Sequence, residues 1–297
     1  MKFTVDDFLR SKQLGLAYAG QAATTKTIKT YRSVFGLAER LVGKPITEFS
    51  RDDFNRFMIT AEQHKVSPKT INLIISGTRG LFDWGQKSGL TRRADPSSGV
   101  RLRKITEKIP PLVTEEDVTK IIKTMYEILE DDDTAWKYAM VTKLLFYGGL
   151  RLNETLTLKR KNVLEDGIII VGKGGDEHFV PLREDVLAEL REFASIFDES
   201  EYVFYGYYGP ASRHVGLKPL NSSTFSRVFA KAVKKAGLSP EITPHTLRHG
   251  FATLALEKTG NLALVQDLLR HKDPKTTRRY ARITKTNIRS GYNRIWS

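Results

Sequence analysis

Apolar positions in the first third of the chain recur at helical spacing. Ile28, Tyr31, Phe35 and Ala38 fall on one face of a predicted helix. Ser67 followed by Pro68 supplies an N-cap and a first-turn residue for another, with Ile71, Ile74, Ile75 and Phe82 facing inward. The pattern stops in RRADPSSGVRLRKITEKIPP (92–111), which is punctuated by Pro, Gly and Ser, and then resumes. Thr114 with Asp117 makes a capping-box variant that opens a helix with Val118, Ile121 and Ile122 inward, and the acidic run 130–133 ends it. An apolar helix around 138–147 breaks at Gly148 and Gly149, and the next begins near Asn153. Residues 168–171 (IIIV) and 178–182 (HFVPL) read as short strands around GKGGDE, which puts Lys173 at or near the tip of a β-hairpin. From Ser223 onward the chain is again mainly helical, and Ile288, Tyr292 and Ile295, with Trp296 beside them, form an apolar stripe on a tail helix from about residue 284. The predicted fold class is mainly α with a small antiparallel β-sheet, and no internal repeat or low-complexity tract interrupts it.

Composition sharpens this picture. With 297 residues, 40% of them hydrophobic, the chain can bury the core of one large or two medium domains. Lys and Arg outnumber Asp and Glu by 48 to 34, a formal charge of +14 that favours polyanionic partners. The excess is uneven: residues 1–108 hold 20 basic and 10 acidic side chains, whereas residues 109–297 hold 28 and 24. A domain boundary is therefore expected in the basic stretch 92–111, with a helical unit over 1–91 and a second over 112–297. Lys26, Lys29 and Ser33 line one outward helical face and Lys69, Asn72, Ser76 and Arg79 another. Together with Arg101 and Arg103 of the linker these side chains can reach phosphates and base edges, although an ordinary solvated face has the same pattern. The absence of cysteine excludes disulfides, thiolate metal sites and thiol catalysis, and fits a reducing compartment. No apolar run approaches the roughly 18 residues of a membrane span, and MKFTVDDFLR has acids where a signal peptide is apolar. A soluble, cytoplasmic protein without membrane partners is expected.

Two motifs fail on chemistry. Gly167 to Lys173 spells G-x-x-x-x-G-K, but Gly174 replaces the Ser or Thr that holds magnesium, and the four intervening residues are Ile, Ile, Ile and Val, a strand. His245 and His249 have the i, i+4 spacing of a helical zinc site, but Thr246 stands where the Glu base belongs; no metal ligand set is assigned. A better constellation is Arg151, Lys173, His245, Arg248, His271 and Tyr280, which suits metal-free phosphoryl transfer. Negative charge grows on the non-bridging oxygens of a pentavalent phosphorus, and Arg151 and Arg248 can clamp it. His245 and Arg248 lie one turn apart at a helix start opened by Pro244, so they point to one side, where the helix dipole favours an anion. Singly, Arg151 is also a helix-terminal charge, His271 a surface residue and Tyr280 an amphipathic packing tyrosine.

The local contexts decide between these readings. FYGGLRLNETLTL (146–158), VGKGGDEHFVPL (171–182), TPHTLRHGFAT (243–253) and LLRHKDPKTTRRYA (268–281) follow in this order, and through them the sequence resembles the tyrosine recombinase, or phage integrase, family over nearly its whole length. The resemblance implies that Arg151 is the first clamp arginine, Lys173 the hairpin lysine, and His245 and Arg248 the H-x-x-R pair. His271 matches the His or Trp position, Tyr280 the nucleophile nine residues later, and Glu154 an acidic buttress three residues after the first arginine. It also implies a two-domain architecture: a helical core-binding domain followed by a mixed α/β catalytic domain, closing as a basic clamp on duplex DNA. Where the family has L-G-H, this chain has Leu269, Arg270 and His271, and Arg270 is available for an added phosphate contact. The chain starts almost at the core-binding helices, as in the compact Xer-type members.

The implied activity is site-specific recombination of double-stranded DNA through a 3′-phosphotyrosyl intermediate, without cofactor, by a homotetramer on two inverted-repeat sites. A type IB topoisomerase uses nearly the same residues, and a DNA-binding protein that has lost catalysis is the alternative of another class. Dimer resolution and integration or excision of a mobile element share this chemistry. The tail stripe fits docking on a neighbouring protomer or on its own domain.

Overall fold

Ser and Thr side chains open the helices of the N-terminal third by accepting their free backbone N–H groups. The computed structural model describes residues 2–16, 22–105, 110–172, 175–196, 199–206 and 218–270. Lys173, His271, Tyr280 and the tail stripe 288–296 lie outside the described residues. The chain divides into two compact units, Met1–Glu107 and Lys108–Ser297.

The first unit is helical: α1 (Val5–Gln13), α2 (Thr25–Val42), α3 (Arg51–Gln63) and α4 (Pro68–Lys87). Thr24 accepts from the Thr27 N–H at 3.2 Å, Ser50 forms a full capping box with Asp53, and Ser67 accepts from the Thr70 N–H at 3.2 Å. The helices converge on an aromatic core of Phe8, Phe35, Phe54, Phe57 and Phe82, all fully buried, with Ile74 and Ile75 beneath. The inward residues predicted for α4 (Ile71, Ile74, Ile75 and Phe82) are buried, as are Ile28, Phe35 and Ala38 of α2; Tyr31 is only partly buried.

The basic stretch after α4 does not leave this unit at once. The Arg51 guanidinium donates to the carbonyls of Pro96 and Ser98. Arg79 donates to the Val100 carbonyl, and the Gln86 amide to that of Arg93 at 2.8 Å. The Asn72 side chain pairs with the Arg103 backbone in both directions, Nδ2 to O at 2.8 Å and N to Oδ1 at 2.7 Å, as a neighbouring strand would. Residues 93–103 are thus held against the helices by side chains.

The second unit begins with α5 (Glu115–Ile128), opened by the Thr114–Asp117 capping box, and α6 (Asp132–Tyr147), capped by Asp131 from within the acidic run. The short α7 (Leu152–Leu156) follows the break at Gly148 and Gly149. Strands β1 (Gly167–Val171) and β2 (Glu177–Pro181) pair antiparallel with Ile169 opposite Phe179. Ile168, Ile170 and Val180 face the core, while Val171 and Phe179 face out. The segment that spells G-x-x-x-x-G-K is indeed strand over its apolar part. Next come α8 (Glu184–Ile196), a second two-stranded antiparallel sheet of β3 (Tyr205–Gly206) and β4 (Lys218–Pro219), and three helices, α9 (Ser222–Lys235), α10 (Pro244–Thr259) and α11 (Leu262–Leu269). Helix α8, whose buried Val186, Leu187, Leu190, Phe193 and Ala194 recur at helical spacing, and the second sheet were not among the predicted elements. The core is built by α5, α6, α9 and α10 around Ile121, Met125, Leu144, Leu145, Phe225, Phe229 and Leu247.

Gly149 is the residue that lets α6 give way to the segment before α7. Its φ is +56°, and a Cβ there would run into the ring of Phe251 on α10. Gly237 shares the positive φ, +70°, but has open space around it. Gly149→Ala should therefore destabilise this unit by about 2–4 kcal/mol, combining left-handed strain with overpacking, against about 1 kcal/mol for Gly237→Ala. Urea unfolding of the two variants checks this; equal losses would mean that the ring yields freely.

Candidate active site

Among the described residues of the second unit the deepest charge is Arg248, whose side chain is only 2% exposed. Its place follows from local sequence: Thr243 caps α10, Pro244 fills the first turn, and Arg248 follows His245 by one turn. Thr246, which excludes a zinc-hydrolase base, has its own task, its hydroxyl accepting from the Thr243 N–H at 2.8 Å. A buried guanidinium needs acceptors for its donors. Arg248 Nη1 donates to the Gly149 carbonyl at 2.6 Å and Nη2 to the Leu269 carbonyl, so one side chain joins the end of α6, the start of α10 and the end of α11.

Glu154 stands at the centre of the charge. On α7 its carboxylate accepts from the Arg151 backbone N–H at 2.9 Å and from Arg151 Nη1 at 2.5 Å. Arg248 Nη1 lies 3.8 Å from Oε2, and Arg270 Nη2 donates to the same oxygen at 3.2 Å. Burial pushes the Glu154 carboxyl up, but the Arg151 N–H and guanidinium and the charge of Arg270 outweigh it and hold the group below its ordinary value. Three guanidinium groups thus face one carboxylate, and of the three only Arg151 is substantially exposed, at 45% of its side chain. The surplus positive charge opens to solvent through Arg151, an arrangement suited to an anion that binds side-on.

His245 is exposed at the start of α10, its ring perpendicular to that of His249 with centroids 4.6 Å apart. The site residues Arg151, Glu154 and Arg248 are brought together; Lys173, His271 and Tyr280 lie outside the described residues. Arg270 is more deeply engaged than its reading as a spare phosphate contact implied. Its side chain is 5% exposed and turned inward, donating to Leu268 and Gly149 carbonyls as well as to Glu154. It also takes the left-handed conformation, φ 54° and ψ 45°, which costs a residue other than glycine roughly 1 kcal/mol or more. The Gly149 carbonyl, shared by two arginines, had no signal in the sequence beyond the Gly-Gly pair before Arg151.

A model of the phage integrase family matches residues 112–287, more than half of the chain. The chain belongs to the phage integrase family. This recombinase is 31% identical over 248 residues to the tyrosine recombinase XerA of Pyrococcus furiosus, covering 82% of this chain and 79% of that one. To the tyrosine recombinase XerD of Listeria monocytogenes it is 27% identical, over 99% of each chain. Its fold is similar to that of the XerH site-specific recombinase bound to a palindromic difH substrate, with a TM-score of 0.69 at 21% identity over 98% of this chain and 94% of that one. A lambda integrase tetramer bound to a Holliday junction gives 0.71, also at 21% identity, over 93% and 77%. The recombinase is thus an enzyme of the tyrosine recombinase family of the Xer type, and the relatives favour this reading over a topoisomerase or a silent DNA-binding protein.

Of the residues read as DNA contacts in the first unit, Lys26, Lys29, Lys69, Arg101 and Arg103 are exposed. Asn72 and Arg79 are half-buried and hold the backbone of 100–103, and Arg103 also pairs with Glu62 at 3.4 Å. Among the described residues, no helix is long and apolar enough to cross a membrane.

The depressed Glu154 pKa has a definite sign. Its carboxylate contributes stability in full above the unfolded-state value of roughly 4.3, and that contribution is lost as the pH falls through the lower folded-state value. Glu154→Gln should lower stability by about 2–4 kcal/mol at pH 7, because buried guanidinium charge loses its counterion, and the gap to wild type should narrow in acid. Urea titrations at pH 7 and pH 3 test this. A gap of the same size at both would show that packing, not charge, is what Glu154 provides.

Proposed function

We propose that Tyr280 is the nucleophile of this recombinase and that the cluster around Glu154 receives the scissile phosphate of duplex DNA. The observation that supports this most is the surplus of guanidinium charge, buried at Arg248 and exposed at Arg151, beside the start of α10 where His245 stands. Arg151 and Arg248 hold the two non-bridging oxygens, and His271 adds a further donor. His245 takes the proton from the Tyr280 hydroxyl as its oxygen bonds to phosphorus. The bond to the 5′ oxygen breaks, and Lys173 protonates that oxygen as it leaves. The products are a 3′-phosphotyrosyl bond and a free 5′-hydroxyl. The phosphodiester energy stays in the covalent bond, so religation needs neither nucleotide nor metal. Attack by the 5′-hydroxyl of a partner duplex exchanges strands.

The DNA-bound structures of similar fold support a substrate of two inverted half-sites and a homotetramer on two duplexes. The helical unit contacts the DNA through Lys26, Lys29, Lys69, Arg101 and Arg103, and the tail stripe Ile288, Tyr292, Ile295 docks on the neighbouring protomer. In this reading the protein works in the cytoplasm, at the nucleoid, where its DNA substrate lies.

Tyr280→Phe should abolish the covalent adduct on a nicked duplex carrying the sequence that the wild type selects from a random pool, with affinity kept within about threefold. Mass spectrometry of the wild-type adduct locates the bond; a phosphopeptide containing Tyr292 in place of Tyr280 would refute the assignment. Lys173→Ala should slow cleavage of an ordinary phosphodiester by about 100-fold or more, and far less on a 5′-bridging phosphorothiolate, whose leaving group needs no proton. Equal defects on both substrates would remove Lys173 from the acid role.

A further inference from the structure

Arg270 combines two unfavourable features at one residue. Its guanidinium is buried beside two others, and burial lowers its proton affinity against the pull of Glu154. Its backbone is left-handed at the end of α11, where glycine would sit without strain. A helix stop by itself needs neither a charge nor a side chain, so the arginine sits here against both the local backbone preference and the electrostatics of its surroundings.

What the side chain accomplishes is visible in its partners. Nη2 reaches the Gly149 carbonyl at 3.4 Å and Glu154 Oε2 at 3.2 Å, residues more than 100 positions earlier in the chain, and Nη1 returns to the Leu268 carbonyl at 2.9 Å. Arg248 bonds the same Gly149 carbonyl and the carbonyl of Leu269. The end of α11 is therefore bound from both sides to the carboxylate that orients Arg151. Both terminal nitrogens of Arg270 are engaged and turned inward. Ten residues further along the sequence stands Tyr280.

We propose that Arg270 is a positioning residue for strand cleavage: its guanidinium, bridging Gly149 and Glu154, fixes the point from which the chain runs to Tyr280 relative to the Arg151–Arg248 clamp. This rests on the reading of Tyr280 as nucleophile. Loss of the bridge leaves the exposed cations, Arg151 and those of the helical unit, in place and loosens the alignment of the attacking oxygen, and alignment governs the rate of an in-line displacement.

The test measures, with the full-length protein, equilibrium affinity for the selected duplex and single-turnover adduct formation on its nicked form. Arg270→Gly should form adduct at least tenfold more slowly with affinity within about twofold, and the defect should persist undiminished on the 5′-bridging phosphorothiolate, because leaving-group protonation is not what fails. Arg270→Lys, which keeps the charge and can satisfy only one partner, should fall between Gly and wild type, and it decides the matter if the Gly variant does not fold. Wild-type rates in the variants that fold, or an affinity loss equal to the rate loss, would overturn the proposal. So would rescue on the phosphorothiolate. Absence of adduct from the wild type itself would instead overturn the nucleophile reading on which the proposal stands.

Discussion

A guanidinium removed from water must find acceptors inside the protein, and in this recombinase the burial of Arg248 sets the arrangement of everything around it. Backbone carbonyls of Gly149 and Leu269 are among its acceptors, so the ends of α6 and α11 are both brought to it. The Gly149 carbonyl is presented by a left-handed backbone and by a close approach to Phe251 that no side chain at position 149 would permit. Glu154 then balances part of the charge, and its bonds to the Arg151 backbone and side chain turn that arginine toward the surface. The cluster suits the proposed phosphate clamp because it stays net positive after its own carboxylate is counted. The surplus is least screened where solvent, and a ligand, can reach it.

The helical unit solves a different problem with similar means. A basic segment after α4 repels itself and has little apolar content to anchor it. Arg51, Asn72, Arg79 and Gln86 instead bind its backbone carbonyls, and Asn72 also accepts from an amide. The cations Arg101 and Arg103 are left exposed on a backbone already ordered, which lowers the entropy lost when they meet a polyanion. Polar residues on the outer face of a helix therefore divide into two kinds. Lys26, Lys29 and Lys69 reach solvent, while Asn72 and Arg79 serve the fold.

Much of this was legible in the sequence, for identifiable reasons. The caps at Ser67 and at Thr114 with Asp117, the inward residues of α4, the glycine break after α6 and the pairing of IIIV with the HFVPL segment depend on contacts a few residues apart, and local spacing reports local contacts. Small shifts at the edges, such as β2 ending at Pro181 and not Leu182, are within what such patterns resolve. Arg151, Glu154, His245 and Arg248 were singled out through motifs whose residues lie within one turn of a helix, and the structure brings Arg151, Glu154 and Arg248 together.

What the sequence by itself determined is thus the mainly helical class, the hairpin, the basic character of the first third and the residue types that phosphoryl transfer requires. The tertiary structure alone decided which polar side chains face inward. Asn72 and Arg79 look like the lysines beside them until the segment 31 and 21 residues later folds back on them. Arg270 looks like a surface cation until α11 closes on Gly149 and Glu154. The physical reason is common to both cases. Whether a charged or amide group is exposed or buried depends on acceptors contributed by distant parts of the chain, and no periodicity along the sequence records where those carbonyls and carboxylates come to lie.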